Sequence, residues 1–267
     1  MEATSMKIPI EFTSEGYQIR GKFYSAERDP VCATVLLLHG FPGNEEDVLG
    51  LGQRISENGI NVMTFNYRGT YQSEGIYSLQ STLEDISAAI EFLHQESVIH
   101  KFRIDTSELI LGGWSYGGGM ALAYAANHPE IRRIFSIAEG DLGEIAREFD
   151  QNPQVYTEIY AEHEALKFPT GPVRFEDFEE HFVTLMQNPD SYDLRLAAPA
   201  LTNRNILLIG GWDDPFATIE HHILPVYRAL MSSGAERVQI KAFQDNHTFE
   251  RTREELVTEI ICWVKSL

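Results

Sequence analysis

The stretch Leu109-Ile110-Leu111-Gly112-Gly113-Trp114-Ser115-Tyr116-Gly117-Gly118-Gly119 runs from an apolar segment straight into a small-residue segment ending at Asn127. An apolar run of this length reads as a buried strand, and Ser115 to Asn127 reads as a helix that His128 and Pro129 terminate. A serine at such a junction stands on a sharp turn with its hydroxyl projecting from the sheet edge, and small flanking residues let the turn close. A bare Gly-x-Ser-x-Gly occurs often by chance, and a helix N-cap serine in a glycine-rich turn is the plain structural alternative. The strand-to-helix placement is what favours a nucleophile.

The same unit recurs on either side. Val35 to Leu38, Asn61 to Asn66, Ile134 to Ala138, Ile206 to Ile209 and Val238 to Phe243 read as further strands. Helices are expected from Glu46 to Asn58, over Leu79 to Leu93 with apolar residues at helical spacing, over Ile219 to Ser232 and over Arg251 to Lys265. Upstream, Ile8 to Phe12 and Gln18 to Ser25 flank Ser14-Glu15-Gly16 and predict an antiparallel hairpin. Strands alternating with helices imply crossover connections, so an α/β fold follows: a mostly parallel sheet of about eight strands, helices on both faces, the hairpin at one edge. From Gly140 to Arg204 the pattern is helical without strands. The expected division is therefore a core of residues 1–139 and 205–267 with an inserted helical cap at 140–204.

At 267 residues, with 43% hydrophobic and 11% aromatic side chains, the chain suffices for one large core plus an insertion. Its formal charge of −19 argues against nucleic acid, whose binding draws on Lys and Arg, and against an anionic membrane surface. Cys32 and Cys262 both lie in apolar sequence, which suits buried, reduced thiols in a cytoplasmic protein. Met1 to Pro9 lacks a basic segment followed by an apolar one, so no cleaved signal is expected.

A nucleophilic serine needs a general base for its proton and a third group to orient that base. His247 is the candidate base, in a polar loop between the last expected strand and the last helix. His94, His100, His128, His163, His181, His221 and His222 fall on or at the ends of expected helices, where a solvated or packed imidazole is usual; His39 is read as holding the first Gly/Pro loop in shape. Asp213 and Asp214 follow the strand that begins at Ile206, one to orient the base and the other to form the turn. His221 and His222 are adjacent and do not share a helix face as metal ligands four residues apart would. No dinucleotide fingerprint or phosphate loop occurs, so neither cofactor nor metal is expected.

Four segments in register resemble the α/β-hydrolase superfamily: His39-Gly40-Phe41-Pro42-Gly43 after an early strand, the elbow at Ser115, Gly210 to Pro215 after a late strand, and Asp245-Asn246-His247. The order Ser, Asp, His is also that family's. The resemblance runs from Ile8 to Leu267 and looks most like serine esterases and dienelactone-hydrolase-like or prolyl-oligopeptidase-like members with a cap inserted after the sixth strand. It implies Ser115 as nucleophile, His247 as general base and an aspartate as acid. Counting the family's Gly, two residues, Asp from Gly211 gives Asp214, and from Gly210 gives Asp213; the family's Asp-Pro pair favours Asp214. It further implies an oxyanion hole of the Phe41 and Tyr116 backbone N–H groups, and a scaffolding role for Asn66 to Gly75, which resembles the family's Arg-Gly loop with Asn66 in place of its usual Asp.

The 140–204 segment is rich in aromatic residues, among them Tyr156, Tyr160, Phe175, Phe178 and Phe182. A small-molecule ester with an apolar or aromatic acyl group, cleaved by a carboxylesterase, is the expected substrate. A homodimer is compatible with the sequence. Peptidase or thioesterase activity from the same triad, and a catalytically silent binding protein of the same fold, are the competing readings.

Overall fold

The computed structural model describes residues 6–26, 31–46 and 48–266; the expectations for Met1 to Ser5 lie outside the described residues. β1 (Met6–Ser14) and β2 (Tyr17–Ser25) form the expected antiparallel hairpin. Its two-residue turn, Glu15 and Gly16, has both φ angles positive (49° and 84°), the turn hand that matches the twist of the flanking strands. The remaining strands are β3 (Cys32–Leu38), β4 (Asn61–Phe65), β5 (Ile104–Trp114), β6 (Arg133–Ile137), β7 (Asn205–Gly211) and β8 (Val238–Phe243). They make one eight-stranded sheet in the order β1-β2-β4-β3-β5-β6-β7-β8, parallel from β4 onward.

The apolar runs are buried on both faces because alternate residues serve opposite layers. Val35, Leu37, Ile110, Leu207 and Ile209 pack under α1 (Leu51–Glu57) and α10 (Arg253–Lys265). Leu36, Leu38, Leu111, Ile206 and Leu208 pack under α2 (Leu79–Leu93), α3 (Glu96–Phe102), α4 (Tyr116–Asn127) and α9 (Leu224–Ser232).

Three expectations need correction. The helix expected from Glu46 begins at Leu51, after Gly50 in the left-handed region (φ 64°). Upstream the backbone is committed elsewhere: the Glu45 N–H donates to Asn66 Oδ1 (3.0 Å), its carbonyl accepts from Thr64 Oγ1 (2.7 Å), and the Glu46 carboxylate pairs with Lys7 and Lys22; residue 47 lies outside the described residues. α3 was not expected, because seven residues are too few to display a helical period. Cys262 is exposed, whereas Cys32 is buried; its apolar neighbours Ile260 and Trp263 face the core while Cys262 points out of α10.

Between β6 and β7 the chain forms α5 (Leu142–Gln151), α6 (Pro153–Ala165), α7 (Phe178–Gln187) and the short α8 (Leu194–Ala197). Phe149, Phe178, Phe182 and Leu185 of this insertion join the buried cluster on the α2/α4 face of the sheet. A polar seam adds to that contact. Residues 172–175 run alongside the loop after β4, with bridges Thr70 to Val173 and Tyr77 to Phe175 and hydrogen bonds Tyr71 N–H to Pro172 O (2.9 Å) and Arg174 N–H to Gly69 O (2.8 Å). The Arg174 guanidinium donates to the carbonyls of Tyr71, Ser73 and Gly75.

That loop is itself anchored by Asp85 of α2, which is fully buried. Asp85 accepts from the Arg68 backbone N–H (2.6 Å), Nε (3.2 Å) and Nη2 (3.0 Å). Asp85→Ala leaves the Arg68 charge buried without its main partner and is expected to cost about 3–5 kcal/mol, read as a lowered urea midpoint with an unchanged slope.

Candidate active site

Ser115 connects β5 to α4 with φ 55° and ψ −124°, a conformation that L-residues adopt only when their surroundings impose it. Two glycines make the turn sterically feasible. A Cβ on Gly113 would lie 2.2 Å from Gly117 O, and one on Gly117 would lie 2.5 Å from Leu38 O. Hydrogen bonds hold Ser115 on both sides: its N–H donates to Ile137 O (2.8 Å), and its carbonyl accepts from Gly118 (2.9 Å) and Gly119 (3.1 Å) of α4 and from Gly140 (3.3 Å).

The hydroxyl presented by this turn meets His247, whose Nε2 lies 3.0 Å from Ser115 Oγ while its Nδ1 lies 2.7 Å from Asp214 Oδ2. Nδ1 therefore carries the proton that points at the carboxylate, and Nε2 is free to accept from the serine. The other oxygen of Asp214 accepts from the N–H groups of Phe216 (2.8 Å) and Ala217 (3.0 Å), which leaves the nearly buried carboxylate one orientation. Asp213 does something else. It points outward, accepts from Gln244 Nε2 (2.7 Å) and pairs with Arg251.

The His247 loop is braced by residues that sequence reasoning did not single out. Trp114 Nε1 donates to His247 O (2.9 Å), and the Trp114 and Phe216 rings flank the imidazole at 5.3 and 5.5 Å. The fully buried Asp245 accepts from the N–H groups of Asn246 (2.8 Å), Arg251 (2.8 Å) and Thr252 (2.7 Å). Burial alone would raise its pKa, but these bonds outweigh burial and hold it below the ordinary aspartate value. The position of Asp245 two residues before His247 was visible in sequence; its role as the loop's clamp was not.

The loop after β3 lies against the serine, since a Cβ on Gly40 would come within 3.2 Å of Ser115 Cβ. His39 shapes this loop as expected: fully buried, its Nδ1 meets Gly40 O (2.6 Å), its carbonyl accepts from Tyr67 OH (2.6 Å), and burial pushes its pKa down to about 4. Among the described residues the Phe41 N–H meets no acceptor, and Tyr116, first residue of α4, has no intrahelical acceptor for its own. Both amides are thus unspent donors next to the serine.

Behind the elbow sit acids that the sequence did not mark. Glu139 is fully buried, with one bond from Ser136 Oγ (3.2 Å) and no partner for Oε1 among the described residues; burial raises its pKa to about 8. Asp141, also buried, caps α5 and is raised by burial to about 6. The Asp141 N–H donates to Nδ1 of the buried His222 (3.2 Å), so packing is the observed state of His222.

A model described as the alpha/beta hydrolase fold matches residues 33–169, and the sheet order and elbow agree with it. This chain belongs to the α/β-hydrolase family. It is 31% identical over 118 residues to protein YfhR of Salmonella typhimurium, covering 43% of this chain and 39% of that one. It is 28% identical over 113 residues to Cutinase 1 of Thermobifida cellulosilytica, covering 42% and 41%. The matches thus span about two-fifths of the length of these curated relatives. The solved structure of the Pyrococcus furiosus esterase Pf2001 superposes with a TM-score of 0.70 at 16% identity, covering 98% of this chain and 90% of that one, a likeness of fold. Among the described residues no helix is long and apolar enough to cross a membrane.

Between the raised values of Asp141 (about 6) and Glu139 (about 8), the folded chain holds a proton on Glu139 that the unfolded chain has released. The contribution of Glu139 to stability therefore falls as pH rises through this window, by up to ~1.4 kcal/mol per pH unit, and levels off above it, while the buried histidines, held below their ordinary value, contribute in the opposite sense near pH 6. In urea titrations across the window, the stability of the parent minus that of Glu139→Gln is expected to fall with that slope and then level off, since the histidine contributions are common to both.

Proposed function

We propose that this protein is a serine hydrolase that cleaves carboxylic esters through an acyl-enzyme on Ser115. The observation that carries the reading is the unbroken chain of hydrogen bonds from Ser115 Oγ through His247 to the buried Asp214, at 3.0 and 2.7 Å. In this mechanism His247 Nε2 takes the hydroxyl proton as Oγ attacks the ester carbonyl carbon. The negative charge that develops on the carbonyl oxygen is met by the free N–H groups of Phe41 and Tyr116. The C–O bond to the alcohol then breaks, His247 returns its proton to the departing oxygen, and water repeats the sequence on the acyl-enzyme. Asp214, accepting from Nδ1, holds the imidazole in the tautomer this requires.

In the same reading residues 140–204 are a helical cap, and their aromatic side chains next to Phe41 favour an apolar or aromatic acyl group. The likeness to Cutinase 1 and the fold of the Pf2001 esterase are consistent with ester chemistry. Two reduced cysteines, one of them exposed, suit the cytoplasm.

A fluorophosphonate probe is expected to label Ser115 in the parent and nothing in Ser115→Ala, with turnover of p-nitrophenyl esters falling by several orders of magnitude in Ser115→Ala or His247→Ala. Asp214→Asn is expected to lose most activity and Asp213→Asn to keep it, since only the former faces the imidazole; the opposite ranking would reassign the acid. In an acyl series, kcat/KM should rise from p-nitrophenyl acetate through butyrate to 3-phenylpropanoate, and a preference for acetate would remove the apolar acyl reading.

A further inference from the structure

Two imidazoles of the insertion, His163 on α6 and His181 on α7, stand in an aromatic nest that reaches the loop beside Ser115. The Phe41 ring lies between Tyr77 (4.6 Å, 16°) and His163 (5.3 Å, 27°). His181 contacts the Tyr77 (5.6 Å) and Phe175 (5.4 Å) rings, and both imidazoles meet Phe182, at 5.5 and 5.4 Å. Both are half-buried rather than sealed.

Their nitrogens are not equivalent. His163 Nδ1 lies 2.8 Å from Ile159 O, and a carbonyl can only accept, so Nδ1 carries the proton. Burial holds His163 and His181 below the ordinary histidine value, His181 at about 4, so both are neutral at physiological pH. In neutral His163 the remaining nitrogen, Nε2, is a bare lone pair. It has no hydrogen-bond partner among the described residues and is not fully enclosed. The His181 imidazole likewise makes no hydrogen bond among the described residues; only its backbone N–H does, to Asp177 O (3.3 Å). An acceptor among apolar rings discriminates by what the ligand can donate: a plain hydrocarbon or an ether oxygen leaves it unpaired, and a hydroxyl or amide N–H satisfies it.

We propose that the acyl site takes an arylalkyl acyl group bearing a hydrogen-bond donor, and that His163 Nε2 accepts that donor, with His181 as the second polar contact. The proposal rests on Ser115 being the nucleophile and adds to it the polarity of the acyl group. His163 and His181 are specificity residues here, not participants in bond breaking.

Four matched esters separate the possibilities: methyl 3-phenylpropanoate and its 4-hydroxy, 4-acetamido and 4-methoxy derivatives. The 4-hydroxy or 4-acetamido ester is expected to exceed both the unsubstituted and 4-methoxy esters about tenfold in kcat/KM, and the ranking of the first two tells hydroxyl from amide. The ratio should collapse toward one in His163→Phe, which keeps a ring but no acceptor, and recover in part in His163→Gln, whose Oε1 accepts. Equal rates for the hydroxy and methoxy esters in the parent, or an undiminished ratio in His163→Phe, overturns the proposal. The parent comparison stands by itself if the variants fail to fold. Labelling of Ser115 by fluorophosphonate with no turnover of any of the four esters overturns the acyl class and spares the nucleophile; no labelling overturns both.

Discussion

Ser115 is kept in a backbone conformation it would not hold alone, and the constraint comes from its neighbours on both sides. β3 presents the carbonyls of Leu38 and His39 so close to Gly117 that no side chain fits, and the end of β6 hydrogen-bonds the serine through Ile137 and Gly140. The strain at φ 55° is thus distributed over a parallel sheet buried on both faces, the part of the molecule least able to relax. Everything else at the site is placed relative to that rigid point.

The other members arrive on loops at the same ends of the strands, where a parallel sheet gathers its connections. Each loop carries its own clamp. Asp214 is oriented by the amides of Phe216 and Ala217, His247 by Asp245 below and the Trp114 indole beside it, and the loop after β3 by buried His39. A polar clamp suits loops, because their backbone groups lack ladder partners and must be satisfied by side chains. The insertion is tied in the same manner: Asp85 fixes Arg68, the loop after β4 follows, and Arg174 joins that loop to residues 172–175. The aromatic nest around Phe41 then joins the loop after β3 to the helices between β6 and β7.

Much of this was legible in the residues. Apolar runs and helical periods located all eight strands and most of the helices on both faces, because each reports a local geometry that every copy of the pattern must adopt. Ser115 was marked by its strand-to-helix junction, and His247 by standing in a polar loop rather than on a helix. Where local signals were thin the reading slipped. α3 is shorter than two turns, the first half of β5 carries the polar run Asp105 to Glu108, half-buried or exposed, in place of an apolar one, and the start of α1 is set by Asn66, Lys7 and Lys22, all distant in sequence.

The sheet, a run of helices between its sixth and seventh strands, and the serine and histidine as candidates could all be read from the residues alone, since period and turn chemistry are properties of neighbouring residues. The choice between two adjacent aspartates was tertiary: both follow the same strand, and the imidazole found Asp214 because the Phe216 and Ala217 amides turn that carboxylate inward while Arg251 and Gln244 draw Asp213 to the surface. The states of Glu139, His163 and His181 were likewise decided only in the folded chain. Burial and ring stacking depend on partners far away along the chain, and no window of sequence contains them.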